Sequence, residues 1–494
     1  MTTTESAPAG KDQLLESGMY VDGEWIQSES GARLESTSPV TGATIGSVPE
    51  GTRADAQRAI GAAGRSWRTW AALSPFQRAA VMERVGEIIV ERRDDLARTL
   101  TLDQGKPLQA EAYVEVDELV EYFRMAAADC TRIEGAMPPS TDGRKRVLAY
   151  RVPRGVVGLI TPWNWPYTMP AEVLAPALAS GNAVVWVPAP TTSICAVKLA
   201  ECIVDAGFPP GVFNLVTGQG SMVGDEVASN PGTNAIGFIG SIPTGHQVAQ
   251  RAAGKALLLE MGGNGPMVIL EDADLKAAAE ASVVAAYLCA GQSCTAGERF
   301  LVHEAVHDDF LRELRGAISS MTRLGDPFAS ETTMGPLNNE PTAAKMDRHI
   351  ADAVDRGAEV VVGGSRATHF PTALYYEPTV LDRVTDEMQV AREETFGPII
   401  PISTISSEDE ALQIIDSSPF GLLTAVWTRD LARGLRFAES ARAGWVNINE
   451  SSNYWESHLP FGGRAGSQSG VGRVGGRYAM EMFTELKTVV LTLD

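Results

Sequence analysis

From Val156 onward the chain alternates short, continuously apolar runs with longer segments whose apolar residues recur every three or four positions. The runs are Val156 to Ile160, Ala183 to Val187, Val212 to Val216, Ala235 to Ile239 and Ala256 to Leu259. Between them Thr168 to Ala179, Ser193 to Ala206 with Gly207 as its stop, Met222 to Ser229 and Thr244 to Ala253 read as helices. Strands apolar on both faces, separated by helices, predict a parallel sheet covered on both sides. Sheets of that kind bind nucleotides at the carboxyl ends of their strands. Beyond the run Met261 to Pro266, which reads as a junction, a second alternation begins. It comprises a helix over Ala273 to Ala290 and strands Arg299 to Val302, Ile399 to Ile405, Leu423 to Trp427 and Trp445 to Ile448. The N-terminal third reads as largely helical, opened at Ser74 by an N-cap followed by Pro75 and Gln77. Arg144 to Val152 and Leu486 to Leu493 fit neither alternation and read as an arm seeking another subunit.

Composition narrows the function classes. With 494 residues and 44% hydrophobic content the chain fills several cores. Its 41 Lys plus Arg against 62 Asp plus Glu give −21, which opposes nucleic acid and anionic membranes. The first eighteen residues lack a basic or apolar leader, and no apolar stretch is long enough to span a bilayer, so a cytoplasmic protein is expected. Five cysteines (Cys130, Cys195, Cys202, Cys289, Cys294) are too few and too scattered for a disulfide framework, which leaves room for a reactive thiol.

Three local patterns carry chemistry. Cys294 follows the expected helix stop at Gly291, on a connection able to approach a cleft, whereas Cys289 reads as a buried residue inside that helix. Glu260 ends an apolar strand and precedes glycines, where partial burial would raise its pKa toward that of a general base. Asn164 stands between Pro162-Trp163 and Trp165-Pro166, where a rigid amide suits an oxyanion hole. Each has a plain alternative: a buried apolar thiol, a solvated strand-end acid, a capped turn.

Taken in order, Pro162-Trp163-Asn164-Trp165-Pro166, Phe238-Ile239-Gly240-Ser241 with Gly245, Leu259-Glu260-Met261-Gly262-Gly263, Gly291-Gln292-Ser293-Cys294, Glu393-Glu394-Thr395-Phe396-Gly397-Pro398 and Pro460-Phe461-Gly462-Gly463 resemble the aldehyde dehydrogenase superfamily over nearly the whole chain. The resemblance implies Cys294 as nucleophile, Glu260 as base and Asn164, with the Cys294 N–H, as oxyanion hole. It implies cofactor contacts at Thr161, Pro162, Trp163, Gly240, Ser241 and Gly245, with Glu394 on the nicotinamide ribose and Phe396 beside the nicotinamide. The implied fold is α/β: a Rossmann-like cofactor domain (1–130 and 153–260), an α/β catalytic domain (261–449), an oligomerisation arm (131–152 and 480–494) and a closing segment (450–479). The implied reaction is oxidation of an aldehyde to a carboxylic acid through a Cys thioester, which Glu260 directs to hydrolysis rather than to coenzyme A. NAD is the expected cofactor with NADP as the alternative, a homodimer or homotetramer is expected, and no metal is. A fold that binds a ligand or partner without redox turnover is the competing reading.

The chain departs from the family pattern at three places. Val187 and Pro190 stand where a Lys and a Glu usually hold the adenosine ribose, so weak adenosine-side binding is expected unless Trp186 compensates. Val173 stands where a relay lysine is usual, next to Glu172. The turn after Pro460-Phe461-Gly462-Gly463 is longer by Arg464 to Gln468. Two further patterns are decoys. His303-Glu304-Ala305-Val306-His307 matches a zinc-protease motif but straddles a strand-to-helix junction, and Gly218, Gly220 and Gly224 miss the dinucleotide spacing by one residue. Trp163, Trp165, Tyr167, Tyr287, Tyr454 and Trp455 suggest an aromatic tunnel. Glu172, Glu450 and Glu456 stand near it without a Lys or Arg, favouring a neutral or aromatic aldehyde over an anionic one, with a cationic one as the alternative.

Overall fold

The computed structural model describes residues 14–493. Two large sheets organise it. The first runs in the spatial order Gly470–Val471, Ala256–Met261, Ala235–Gly240, Val156–Ile160, Ala183–Val187, Phe213–Leu215, Met19–Val21, Glu24–Ile26. Its five central strands are parallel, and every residue of Ala183–Val187 is buried, as expected of a sheet covered on both faces. The chain starts this unit at Val156–Ile160 and builds outward in both directions. The order therefore reverses beside that strand, and a crevice opens at the carboxyl edge. Thr161 to Asn164, Gly240 to Ser241 and Glu260 all lie at that edge.

The second sheet runs Glu359–Val362, Thr379–Asp382, Ile399–Ile405, Gly297–His303, Gly265–Ile269, Leu423–Trp427, Trp445–Ile448. All pairs are parallel except the first. Its founding strand, Gly265–Ile269, begins inside the stretch read from sequence as a junction, because Gly265 and Pro266 hid it. Gly265 is required there: a Cβ would meet the Leu423 carbonyl at 2.9 Å.

The N-terminal third corrects its expectation in part. The described residues 14–52 contain short strands, including Arg33–Thr37 against Thr44–Pro49, and helices follow from Arg53 to Cys130. Ser74 does cap Pro75–Glu91, with Gln77 closing the reciprocal bond. The expected helix Met222 to Ser229 divides into a π-turn, Gly220–Gly224, and a short helix, Asp225–Ser229. Lys145–Pro153 and Thr484–Thr492, the expected arm, pair with each other antiparallel over nine residues. Among the described residues no helix is long and apolar enough to cross a membrane.

Candidate active site

Cys294 lies on the turn that feeds Gly297–His303, and the helix before it ends earlier than its apolar pattern predicts. Leu275–Tyr287 stops at Tyr287, and Cys289, Ala290 and Gly291 follow at φ of 54°, 52° and 74°. Cys289 is therefore outside the helix. Two consecutive non-glycine residues in this left-handed region store about 1 to 3 kcal/mol each, so the surroundings must hold them. Glu111 does so by accepting the Cys289 N–H at 3.0 Å. Gln292 adds a second hold, its side chain donating to the Cys289 carbonyl at 2.8 Å and accepting from the Asn338 N–H at 2.8 Å. Downstream, Thr295 donates to Asn453 at 2.5 Å and its carbonyl accepts from Ser452 at 2.8 Å.

The first sheet supplies the opposing wall. Asn164 is buried on the connection after Val156–Ile160 and donates its side-chain amide to the Gln292 carbonyl at 3.0 Å. Glu260, near the end of Ala256–Met261, is 4% exposed and its Oε1 has no hydrogen-bond partner. Burial pushes its pKa up to about 8, the Cys294 thiol pulling it down and Glu394 adding to the rise. Burial, Glu260 and Glu172 together raise the Cys294 thiol well above its usual range, so the resting pair is a neutral thiol facing a carboxyl. Val173, at the position where a relay lysine was in question, is fully buried among apolar residues, so no cation stands at that position.

Cys294, Glu260 and Met169 form the partition between two cavities. One, of about 640 Å³, is lined by Pro162, Trp163, Asn164, Gly240, Ser241, Glu394, Phe396, Thr342 and Lys345 among others. Phe396, at φ 61°, meets Trp163 edge to face at 5.6 Å. Glu298 holds the Phe396 N–H at 2.7 Å, and Glu394 accepts the Gly263 N–H at 3.0 Å. Ile242–Arg251 begins at Ser241 with no side-chain cap, leaving its first N–H groups at the wall for an anion. A dinucleotide diphosphate fits that requirement.

Two expected cofactor residues do not line this cavity. Thr161 is buried, its hydroxyl accepting the Trp186 indole N–H at 2.9 Å. Trp186 is thereby committed to the core and is not available to the ribose. Gly245 is a packing glycine, because a Cβ there would strike the Met261 sulfur. Sequence reading missed Met169, Thr342 and Lys345. The last two stand on the helix Glu340–Asp355, whose exposed charges gave no sign that one face turns toward a cleft.

The second cavity, of about 500 Å³, is lined by Trp165, Met169, Glu172, Trp455, Phe461 and Glu118 together with the partition. Of the aromatic residues expected there, Trp165 and Trp455 are present. Tyr167 and Tyr287 are buried elsewhere, with hydroxyls bonded to the Leu96 and Thr379 carbonyls. Tyr454, Glu450 and Glu456 face solvent. Glu118 was missed, since it stands on a helix, Tyr113–Cys130, far from any motif. That helical region also anchors the cavity wall: Glu115, paired with Lys106 at 2.6 Å, accepts the Tyr167 N–H at 3.0 Å at the start of Thr168–Ala179.

The zinc-protease pattern divides as its context predicts. His303 ends a strand and His307 begins a helix, where its ring bonds to Asp382 at 2.9 Å. No group of metal-ligating side chains occurs among the described residues. The longer turn after Gly463 is closed by Ser467, which donates to the Arg464 carbonyl at 2.7 Å.

Comparison with known proteins gives a coherent outcome. The model of the aldehyde dehydrogenase family matches residues 25–489. The chain is 37% identical to the 3-sulfolactaldehyde dehydrogenase of Pseudomonas putida, with 97% of each chain covered. It is also 37% identical to the NADP-dependent succinate-semialdehyde dehydrogenase of Escherichia coli, over 97% of this chain and 98% of that one. The crystal structure of an NAD-dependent aldehyde dehydrogenase from Sinorhizobium meliloti is similar at a TM-score of 0.93 and 35% identity, covering 97% of this chain and 95% of the other.

Proposed function

The chain belongs to the aldehyde dehydrogenase family and oxidises aldehydes to carboxylic acids with NAD or NADP, and on that premise we propose how its own residues divide the work. Cys294, after its thiol gives up its proton to water, adds to the aldehyde carbonyl as thiolate, forming the C–S bond as the carbonyl electron pair moves onto oxygen. Asn164 stabilises that oxyanion with the Cys294 backbone N–H. A nicotinamide held against Phe396 would supply the acceptor for the hydride lost from the former carbonyl carbon. The resulting Cys294 thioester is then hydrolysed by a water whose proton passes to Glu260, releasing the acid and the free thiol. The observation that carries this reading is the partition: the thiol and the orphaned carboxyl stand between the two cavities and line both.

On the cofactor side, Pro162, Trp163, Gly240 and Ser241 would cradle the diphosphate, Glu394 and Lys345 the adjoining ribose, and Phe396 the nicotinamide face. Residues 1–130 and 153–260 then serve as the cofactor unit and 261–449 as the catalytic unit, with 450–479 closing the substrate side. A neighbouring cleft between Gly220–Gly224 and Ile242–Arg251 suits the adenosine end. Its cation, Arg251, is bound to Asp225 at 2.6 and 3.1 Å, and Arg53 shares that carboxylate at 2.7 Å. A 2′-phosphate would find no free guanidinium there, which favours NAD. Val187 is buried and Pro190 has no polar side chain, so the adenosine ribose loses two usual side-chain contacts. The expected arm, 131–152 and 480–494, contains the paired strands Lys145–Pro153 and Thr484–Thr492, where Leu486, Val490 and Leu491 are exposed together with the adjoining Leu493, a surface suited to a homodimer or homotetramer.

Absorbance of reduced cofactor, followed with an aldehyde panel and each of NAD and NADP, tests the reading. Turnover with NAD that disappears in Cys294→Ala is expected. Turnover that survives this substitution contradicts it.

A further inference from the structure

The charge of the substrate-side cavity is one-sided. Three carboxyls, Glu118, Glu172 and Glu260, line it and no Lys or Arg does. Glu118 accepts the Trp455 indole N–H at 2.7 Å and Glu172 accepts the Tyr122 hydroxyl at 2.8 Å, so each has one oxygen engaged by a neutral donor. Lys106, the cation nearest this wall, is fully buried, paired with Glu115 at 2.6 Å and set against the Trp165 ring at 3.0 Å. It does not line the cavity. Burying carboxyls without a cation is unfavourable for their charged form, and the chain accepts this at two positions beyond the proposed base. Burial pushes Glu118 up to about 7 and raises Glu172 well above the carboxylate range.

Two independent features point to a ligand that corrects this imbalance. Glu260 Oε1, which is buried at this cavity, lacks a partner. Furthermore three aromatic side chains, Trp165, Trp455 and Phe461, line the cavity, the last two meeting edge to face at 5.3 Å. Aromatic faces with nearby carboxyls attract a cation whose own surface is apolar. An alkylated ammonium meets both conditions, and the carboxyls can ionise around it, whereas a carboxylate or sulfonate tail would find no cation on this wall.

We propose that the substrate is an aldehyde with a cationic, alkylated ammonium tail, held between Glu118 and Glu172 against Trp165, Trp455 and Phe461. The proposal rests on the reading of Cys294 as nucleophile and names the substrate class of that site. With the cation in place both carboxyls ionise, and the tail sets the distance of the aldehyde carbon from Cys294.

The test compares kcat/KM for trimethylammonioacetaldehyde, its carbon isostere tert-butylacetaldehyde, and succinate semialdehyde. The cation should exceed the isostere by about tenfold or more, with the anion lowest. Glu118→Gln and Glu172→Gln, which keep a side-chain oxygen for Trp455 and Tyr122, should each shrink the cation-to-isostere ratio about tenfold, mainly through KM. Equal constants for cation and isostere in the native enzyme, or a preference for succinate semialdehyde, would overturn the proposal. Binding is read separately from turnover by quenching of tryptophan fluorescence with choline in Cys294→Ala. Quenching that Glu118→Gln weakens supports the cation site even if the nucleophile has been misassigned. Absence of quenching counts against the cation site however active the native enzyme is.

Discussion

The side-chain amide of Asn164 donates to the carbonyl of Gln292 at 3.0 Å, two residues before Cys294. This bond ties the carboxyl edge of the first sheet to the turn bearing the thiol, and it uses one of the two amide hydrogens. The second remains for a developing oxyanion. Asn164→Ala should therefore lower kcat by about 10²- to 10³-fold, with unchanged cofactor binding by fluorescence titration. An effect confined to KM would mean that the amide only positions the loop.

As the proposed base, Glu260 should set the pH dependence. Its folded pKa is raised to about 8 by burial, and it acts as a base only when deprotonated. Steady-state kcat should thus rise with pH through about 8 and level above it, for as long as hydrolysis limits turnover. Glu260→Gln should remove this limb and slow turnover while retaining a single-turnover burst of reduced cofactor in stopped flow. Loss of the burst would instead assign Glu260 to deprotonating the thiol.

The two neighbouring cysteines should separate cleanly. Cys289 is buried and held at φ 54°, with its sulfur near the Gln104 amide. Cys289→Ala should keep most of the turnover and lower stability by about 1 kcal/mol, measured by chemical denaturation. A loss of activity as deep as that of Cys294→Ala would show that the left-handed turn depends on the Cys289 thiol.

On the cofactor side, missing contacts at Val187 and Pro190 cost two hydrogen bonds of about 1 kcal/mol each, or one to two decades in affinity. Titration should give NAD binding weaker than submicromolar, tighter than that of NADP, and strengthened by Pro190→Glu. Tighter NADP binding would mean that Arg251 leaves Asp225 for the 2′-phosphate.

Much of this was legible in the sequence, because strands buried on both faces are written as unbroken apolar runs. Val156–Ile160, Ala183–Val187, Ile399–Ile405, Leu423–Trp427 and Trp445–Ile448 match their predicted bounds. Gly265–Ile269 did not declare itself, since Gly265 there serves close packing against Leu423 rather than a turn. The end of Leu275–Tyr287 was misplaced because tertiary bonds from Glu111 and Gln292 override the apolar period through Cys289 and Ala290. Cys294, Glu260 and Asn164 were marked by ordered motifs. Glu118 and Lys345 were not, as each lies on a helix whose direction relative to the crevice only the assembled fold determines.

The central claim is that Cys294 carries the acyl group between hydride transfer and hydrolysis. Peptide mass spectrometry of Glu260→Gln, quenched after mixing with NAD and an aldehyde, measures it most directly. The account predicts the acyl mass on the peptide containing Cys294 and on no other cysteine. An unmodified Cys294 alongside a full burst of reduced cofactor, or acylation at Cys289, would contradict it.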